Sequence, residues 1–322
     1  MTKDDVLALL EQADAPVSGE QMCKTLGLTR AAVWKAIEAL RADGYEIEAA
    51  TRRGYFLCTC PLTKSALEKR LAGQFPTEKL IVLPEVDSTN NYLKTLAANG
   101  APDGTAVLSL KQTAGRGRRG RSFLSEPGGL YLSFLMRPQE PAEALLHLTA
   151  LAGLCVCTAV KQVTGMQAGI KWPNDPVLNG KKLCGILTEL SVSLETQEPE
   201  YVVIGIGVNC NQTSFQDLSM ATSLRIEGGS PVDVNAVAAA LLLELSRMRQ
   251  EFQTRKDAWV RAFAETCLTV GKDVQILRAG ETKQARAVDI GKDAELLVEY
   301  PDGTTESISS GEVSVRGLYG YV

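Results

Sequence analysis

The stretch G-R-G-R-R-G-R at 115–121 decides how this chain is read. Gly115, Gly117 and Gly120 make a formal G-x-G-x-x-G, the spacing of a dinucleotide-binding turn. Its surroundings exclude that reading. T-A-V-L-S-L-K-Q at 105–112 is a strand, but R-S-F-L-S-E-P-G-G at 121–129 cannot open a helix, and G-G-L-Y-L-S-F-L-M at 128–136 is another strand. A phosphate-binding P-loop would end in Lys-Ser or Lys-Thr, and this stretch does not. What remains is a mobile loop between strands, with four arginines on a glycine-rich backbone. Glycine lets backbone close around a ligand, and guanidinium neutralises carboxylate and phosphate. A solvated or nucleic-acid-binding basic loop is the plainer alternative.

Around this loop strands and helices mix. K-L-I-V-L-P-E-V at 79–86 reads as a strand and S-T-N-N-Y-L-K-T-L-A-A-N-G at 88–100 as a helix ended by Gly100. A long apolar helix spans 144–163. Asn179-Gly180 is a two-residue hairpin turn, leading into strands at 182–190 and 201–209, and two late helices cover about 233–251 and 256–265. Consecutive strands without helices between them predict an α+β domain over 67–268 with a mixed, largely antiparallel sheet. Residues 270–322 hold five short strands separated by A-G-E, G-K-D and P-D-G turns, the pattern of a small SH3-like β-barrel.

Residues 1–60 form a separate unit. Val6, Leu7, Leu9 and Leu10 have helical spacing, Ser18 to Gln21 is a capping box, and Thr29 caps a third helix running to about Leu40. Val33, Ile37 and Leu40 share one face of it. Y-E-I-E-A-A and G-Y-F-L then make a hairpin joined by Thr51, Arg52 and Arg53, which completes a winged helix-turn-helix. In a DNA reader the third helix would present Arg30, Trp34 and Lys35 to the major groove, with Arg52 and Arg53 at the wing tip. A small helical interaction module with solvated charges is the alternative. Pro61 and the residues to 66 read as a linker.

Composition narrows the classes. With 322 residues, 45% hydrophobic and 22% charged, the chain can bury a sizeable core. Thirty-four basic against 38 acidic residues give −4, so nucleic acid would have to be held by a local patch. No apolar run is long enough to span a membrane, and the acidic N-terminus is unlike a signal peptide, so a cytoplasmic protein is expected. The eight cysteines then read as thiols. His147, the one histidine, lies in a helical pattern and reads as a packing residue.

Four further segments carry polar chemistry. D-S-T-N at 87–90 stands at a strand-to-helix junction, where Ser88, Thr89 and Asn90 can cap the helix or bind a polar ligand. K-W-P-N-D at 171–175 sets Lys171 and Asp175 at a strand end, Lys181 and Lys182 open the next strand, and G-I-G-V-N at 205–209 lets a ligand approach backbone. In this order D-S-T-N, Q-T-A-G-R-G-R-R-G-R, K-W-P-N-D with K-K-L-C-G-I-L, and G-I-G-V-N resemble the biotin protein ligase family. The leading winged helix makes the chain similar to the bifunctional form that also represses a biotin operon.

The resemblance implies a two-step reaction using ATP and Mg2+. Biotin and ATP give biotinyl-5′-adenylate and pyrophosphate, and a lysine of a biotin carboxyl carrier protein then takes the biotinyl group. Two anions must meet in the first step, so preorganised cations are needed. By the resemblance, Ser88, Thr89, Asn90 and Gln112 border biotin, and Arg116, Gly117 and Arg118 close over it. Lys182 contacts the carboxyl and α-phosphate side. Arg121, Phe123, Lys171 and Asn209 face the nucleotide, Phe123 standing where relatives often have Trp. Asp175 helps the acceptor lysine lose its proton or helps hold magnesium. The resemblance further implies a homodimer favoured by ligand, which would set two winged helices on palindromic operator DNA. A ligand-sensing transcription factor with an inactive ligase domain is the alternative, which Lys182 and Arg118 oppose. A lipoate ligase is a third reading, which the basic loop opposes. On the repressor reading, the full chain's affinity for biotin-operon promoter DNA should fall steeply with salt, with a slope of roughly 0.9 per phosphate neutralised by Arg30, Lys35, Arg52 and Arg53. A mobility-shift titration across salt concentrations checks this, and a flat response would remove these residues from the interface.

Overall fold

Side-chain caps set where the helices begin. In the computed structural model, which describes residues 2–13, 15–50, 53–117, 120–145, 147–215, 218–278, 281–309 and 314–317, Ser18 Oγ accepts from the Gln21 amide at 3.1 Å and Thr29 Oγ1 from the Ala32 amide at 3.2 Å. Each satisfies an amide that a helix's first turn leaves unpaired. After α1 (Thr2–Glu11) they start α2 (Gly19–Leu26) and α3 (Arg30–Ala42). The three helices bury Val6, Met22, Val33, Ile37 and Leu40 in one small core. β1 (Glu46–Ala50) and β2 (Gly54–Thr59) form the wing, and Val17 extends it through two 2.8 Å backbone bonds with Tyr55. Gly54 has φ +113° and a Cβ there would lie 2.1 Å from the Val17 carbonyl oxygen, so only glycine fits this approach. The winged helix expected from the sequence is present.

The segment read as a linker is folded in part. Leu62 is buried in the central core, Thr63 Oγ1 caps α4 (Lys64–Leu71), and Leu67 and Leu71 are fully buried. A cut at residue 67 would therefore divide a helix. The short apolar spacing of Leu62, Leu67 and Leu71 is its only sequence signal, and Pro61 obscured it.

β3 (Leu80–Leu83), β4 (Ala106–Ser109), β5 (Leu130–Met136), β9 (Cys184–Val192) and β10 (Pro199–Val208) form one sheet in the order β3-β4-β5-β10-β9. Its parallel pair among the described residues, β3 with β4, has a helix, α5 (Thr89–Ala98), between its strands, because a parallel pair needs a crossover. The side chains divide with period two. Ala106, Leu108, Leu130, Leu132, Phe134, Val202, Ile204 and Ile206 join the large core, with α6 (Leu148–Thr164) and, later in the chain, α8 (Val234–Glu251). Val107, Leu135 and Val203 face the other way and receive Leu93 and Ala97 of α5. Ser133, Gly205 and Gly207 alternate onto that second face as well, which leaves it polar and open beyond the first turn of α5.

Between α6 and β9 runs a side sheet, β6 (Gly169–Lys171), β7 (Asp175–Leu178) and β8 (Lys181–Lys182). Asn179 and Gly180 have φ of 47° and 75°, the two left-handed residues of the expected hairpin turn. α7 (Leu224–Gly228) follows β10, and α9 (Lys256–Thr266) follows α8. β11 (Asp273–Arg278), β12 (Glu281–Ile290), β13 (Leu296–Glu299), β14 (Thr305–Ile308) and β15 (Ser314–Gly317) make a small antiparallel sheet in the order β14-β13-β12-β11-β15. Its Val274, Ile276, Leu296 and Val298 belong to the same continuous core as α6 and α8. Among the described residues, no helix is long and apolar enough to cross a membrane.

His147 lies just before α6, 1% exposed, tilted against the Phe252 ring at 6.1 Å, with no hydrogen-bond partner for either ring nitrogen among the described residues. Burial, helped by the Lys256 charge, lowers its pKa from 6.5 to about 4. The unfolded chain therefore takes up a proton before the folded chain does, and stability falls as the pH drops from 6.5 toward 4. Denaturant unfolding at pH 7.5 and pH 4.5 should show the parent losing about 2 kcal/mol more than His147→Leu over this interval. Equal losses would mean that His147 is not what titrates.

Candidate active site and DNA-facing surface

The first turn of α5 brings three consecutive polar side chains inside the protein. Ser88 caps the helix, accepting from the Asn91 amide at 3.5 Å, and Ser88, Thr89 and Asn90 are all nearly fully buried. Gln112 is drawn to them because Val86 and Gln112 bridge in parallel, with the Thr113 amide donating to the Val86 carbonyl at 3.0 Å and Ala114 to Asp87 at 2.8 Å. The Gln112 Oε1 atom accepts from the Thr89 amide at 2.9 Å and the Thr89 hydroxyl at 3.1 Å. Its Nε2 donates to Ser125 Oγ at 2.8 Å.

The arms of the basic loop pair with each other. Gly117 donates to the Arg121 carbonyl at 2.7 Å and Phe123 to the Gly115 carbonyl at 2.9 Å, and Arg116 bridges Ser122. A Cβ on Gly115 would lie 2.4 Å from the Phe123 carbonyl oxygen, which is why glycine stands there. Arg118, expected to close over the ligand, lies outside the described residues. Arg116 reaches Asn91 Oδ1 at 3.4 Å, and its charge acts on both Asp87 and Glu189. Hydrogen bonds from the Asn91 side chain and the Ser88 backbone hold the Asp87 carboxyl below its ordinary pKa. Arg121 is exposed on the returning arm.

Below the loop is a floor without side chains. Gly185 and Gly207 are cross-strand partners on β9 and β10, and Gly205 lies opposite Leu187. A Cβ on Gly185 or Gly207 would meet the Phe123 ring at 2.7 and 2.4 Å, so that ring lies flat against both glycines. Its edge meets Tyr131 at 6.5 Å and 76°. The resulting cleft has about 330 Å³ of free space, counting its open mouth. Ser88, Thr89, Asn90, Gln112 and Arg116 form its polar side, and Phe123 with Leu187 its apolar side. Phe123, expected on the nucleotide side, thus stands with the residues expected around biotin.

The remaining candidates gather beside this cleft. Lys182 Nζ is 2.5 Å from Asp175 Oδ1, the two side chains 34% and 26% exposed. Lys171 opposes Asp175 across the β6–β7 hairpin. Asn209, expected to face a base, is 6% exposed, and its side-chain amide donates to the Thr222 carbonyl at 2.9 Å, which ties down the chain after β10. K-W-P-N-D also holds two structural pegs that its pattern does not announce. Trp172 Nε1 donates to the Ala294 carbonyl at 3.0 Å, and Asn174 donates to the Ile186 carbonyl at 3.0 Å. Ser133, Ser125, Glu189 and Lys94 also take part in the site's polar network and were missed. Only the period-two alternation of L-Y-L-S-F-L-M could have pointed to Ser133.

On the winged helix, Arg30, Trp34 and Lys35 are exposed along the outer side of α3, and Trp34 is 58% exposed despite its size. Arg53 is exposed at the wing turn, and Arg52 lies outside the described residues. Arg30, Trp34 and Lys35 lie away from the side of α3 that carries Val33, Ile37 and Leu40 into the core.

A winged helix joined to a mixed-sheet domain, with a polar cleft over a glycine floor beneath a basic hairpin, defines a DNA reader fused to a ligase-type domain that handles anions. Residues 82–209 match the Biotin/lipoate A/B protein ligase family, 2–56 an HTH domain and 269–316 the Biotin protein ligase C terminal domain. The chain is similar to the Bifunctional ligase/repressor BirA of Bacillus spizizenii, with 36% identity over 96% of this chain and 97% of that one. It is 31% identical to the Escherichia coli protein of the same name, over 93% and 92% of the two chains. A solved structure described as biotin protein ligase from Aquifex aeolicus in complex with biotin and ATP has a TM-score of 0.66 and 33% identity, covering 74% of this chain and 98% of that one. The chain belongs to the biotin protein ligase family.

Gly205 gives a direct test of the cleft. A Cβ there would lie 2.2 Å from Asn90 Oδ1, and Asn90 is too enclosed to step aside. Gly205→Ala should cost roughly 1–3 kcal/mol in thermal or denaturant unfolding, the usual range for overpacking. It should also weaken biotin binding measured by calorimetry. Unchanged binding would place the ligand elsewhere.

Proposed function

We propose that the chain is a biotin–carrier protein ligase that also represses transcription from a biotin operon. The observation that carries the ligase half is the cleft: a flat glycine floor, a polar wall at the start of α5, and a basic hairpin above. This suits a ligand with a flat, hydrogen-bonding head and an anionic tail. Biotin's ring system would lie toward Thr89 and Gln112. Arg116, and Arg118 beside it in sequence, would meet the carboxylate and phosphate as they approach. Lys182 would stabilise the α-phosphate when the biotin carboxylate attacks it, forming biotinyl-5′-adenylate and releasing pyrophosphate. The carrier lysine then attacks the mixed anhydride and AMP leaves. Asp175, already bonded to Lys182, would keep that ammonium in place and lie near the incoming amine.

Among the described residues no three His, Cys, Asp or Glu side chains gather into a metal site, so magnesium would arrive on the triphosphate of ATP. The repressor half is supported by the HTH match and by the exposed Arg30, Trp34, Lys35 and Arg53. A homodimer favoured by the adenylate would present two such surfaces to palindromic operator DNA. The cytoplasm, where ATP and reduced thiols are found, fits the eight free cysteines.

Incubation with ATP and biotin should release pyrophosphate and leave a biotinyl-adenylate detectable by mass spectrometry. An inactive ligand sensor would give neither. Lys182→Ala should lower adenylation by about 100-fold or more, the effect of removing one charge-stabilising donor. A rate within a few-fold of the parent would assign that role to another cation.

A further inference from the structure

Lys182 stands on a strand of two residues, and a carboxylate away from the cleft closes the frame that holds it. On one side β8 pairs with β7, Val177 opposite Lys182 and Leu178 opposite Lys181. On the other side runs the chain after β10, where Lys182 and Ala221 form a parallel bridge. The Lys182 amide donates to the Met220 carbonyl at 2.7 Å, and the Thr222 amide donates to the Lys182 carbonyl at 2.9 Å. A strand this short carries few ladder bonds of its own. The direction in which Lys182 leaves it therefore depends on what holds its flanks.

Glu227, in α7, spans those flanks. Its Oε1 accepts from the Thr222 hydroxyl at 2.5 Å and its Oε2 from Asn179 Nδ2 at 2.6 Å. Asn179 belongs to the turn that leads into β8, and Thr222 to the segment paired along it. The bonds close a ring from Lys182 through Thr222, Glu227 and Asn179, then back along the chain through Gly180 and Lys181. Both donors need an acceptor, and an ionised carboxylate offers one oxygen to each. The Thr222 and Asn179 bonds hold the Glu227 carboxyl below its ordinary pKa, although partial burial opposes them. The Thr222 side chain is fully enclosed, so its hydroxyl cannot turn to bulk water instead. Glu227 does not line the cleft. At the far end of the lysine, Asp175 receives the ammonium. Asp175 aims that group, and the ring fixes the backbone from which it is aimed.

We propose that Glu227 is a positioning residue for Lys182: by tying the Asn179 turn to Thr222 it fixes the backbone of β8, and so holds the Lys182 ammonium where the biotin carboxylate and the α-phosphate of ATP meet. This deepens the ligase reading and rests on it. On that reading the head of biotin lies at the start of α5, so loss of Glu227 slows adenylation without loosening biotin. The experiment follows adenylate formation by the full chain in single turnovers and biotin binding by calorimetry. Glu227→Gln keeps one acceptor and turns its NH2 on the other donor. It should lower the adenylation rate by roughly tenfold, the scale of a slightly misplaced catalytic group, with Kd for biotin within about twofold. Asn179→Gly suits the left-handed turn and removes the amide, so it should also slow adenylation. Combined with Glu227→Gln it should be little slower than Glu227→Gln alone.

The same comparison in Lys182→Ala separates positioning from general support. With the lysine gone, Glu227→Gln should cost less than about a further twofold. A further tenfold loss there would overturn the proposal. So would an unchanged adenylation rate in a folded Glu227→Gln, or a loss confined to biotin affinity. If Glu227→Gln does not fold, Asn179→Gly carries both comparisons, and an unchanged rate in it overturns the proposal. A parent chain that makes no adenylate from biotin and ATP would instead overturn the ligase reading, and this assignment with it.

Discussion

The structure depends on how closely the start of α5 can approach the central sheet. Asn90 is 4% exposed and rests on the backbone of Gly205, where any side chain would collide with it. The contact costs the sheet a side chain on β10, and glycine in a strand interior normally weakens it. The loss is tolerated because β10 is paired on both sides, with β5 and with β9. Those ladders fix its backbone without help from side-chain packing on that face. The cleft is therefore placed by topology: it lies where a central strand can go without side chains and a helix begins above it.

The same arrangement accounts for what was legible in the sequence. Signals that act over a few residues could be read directly: the Ser18 and Thr29 caps, the Asn179-Gly180 turn, and the alternation in β5 and β10. The α+β class followed from them, because strands joined without helices have to pair antiparallel. Three features were hidden because their partners are far away in sequence. The Asn209 side-chain amide goes to the Thr222 carbonyl, a bond that its motif does not announce. Trp172 and Asn174 lie in a motif that suggested chemistry, and both serve as pegs, Trp172 to Ala294 more than a hundred residues away. Glu189 and Lys94 are an ordinary acid and an ordinary base until folding brings them together.

The modules share more structure than their sequence boundaries suggest. Among the described residues, the C-terminal sheet shares one core with α6 and α8, so its strands are stabilised by the ligase domain and stabilise it in turn. At the other end Asn235, 1% exposed in the first turn of α8, accepts from the Thr63 amide and donates to the carbonyls of Cys60 and Pro61, all at 3.1–3.3 Å. A buried side chain that satisfies three backbone groups at once holds the connection to the winged helix in one conformation. Asn211 holds the segment before α8 through paired 2.8 Å bonds with Val232, and Asn211 is three residues beyond the end of β10. The floor of the cleft and the linker are thus joined by a short run of fixed backbone.

A second route begins at Lys182. Its amide donates to the Met220 carbonyl at 2.7 Å and its carbonyl accepts from Thr222 at 2.9 Å, so its backbone cannot move without the chain at 220–222. Three residues later Arg225 in α7 pairs with Glu46 of β1 at 2.8 Å, each side chain about 30% exposed. A partly exposed ion pair of this kind is worth roughly 0.2–1 kcal/mol, less than the 1–3 kcal/mol by which coupled sites typically influence each other. The pair can therefore set the orientation of the wing without being able to move it alone. Between the two connections, the buried Asn235 bonds are the stronger constraint on where the winged helix stands relative to the cleft. The Arg225–Glu46 pair is the one that salt would loosen first.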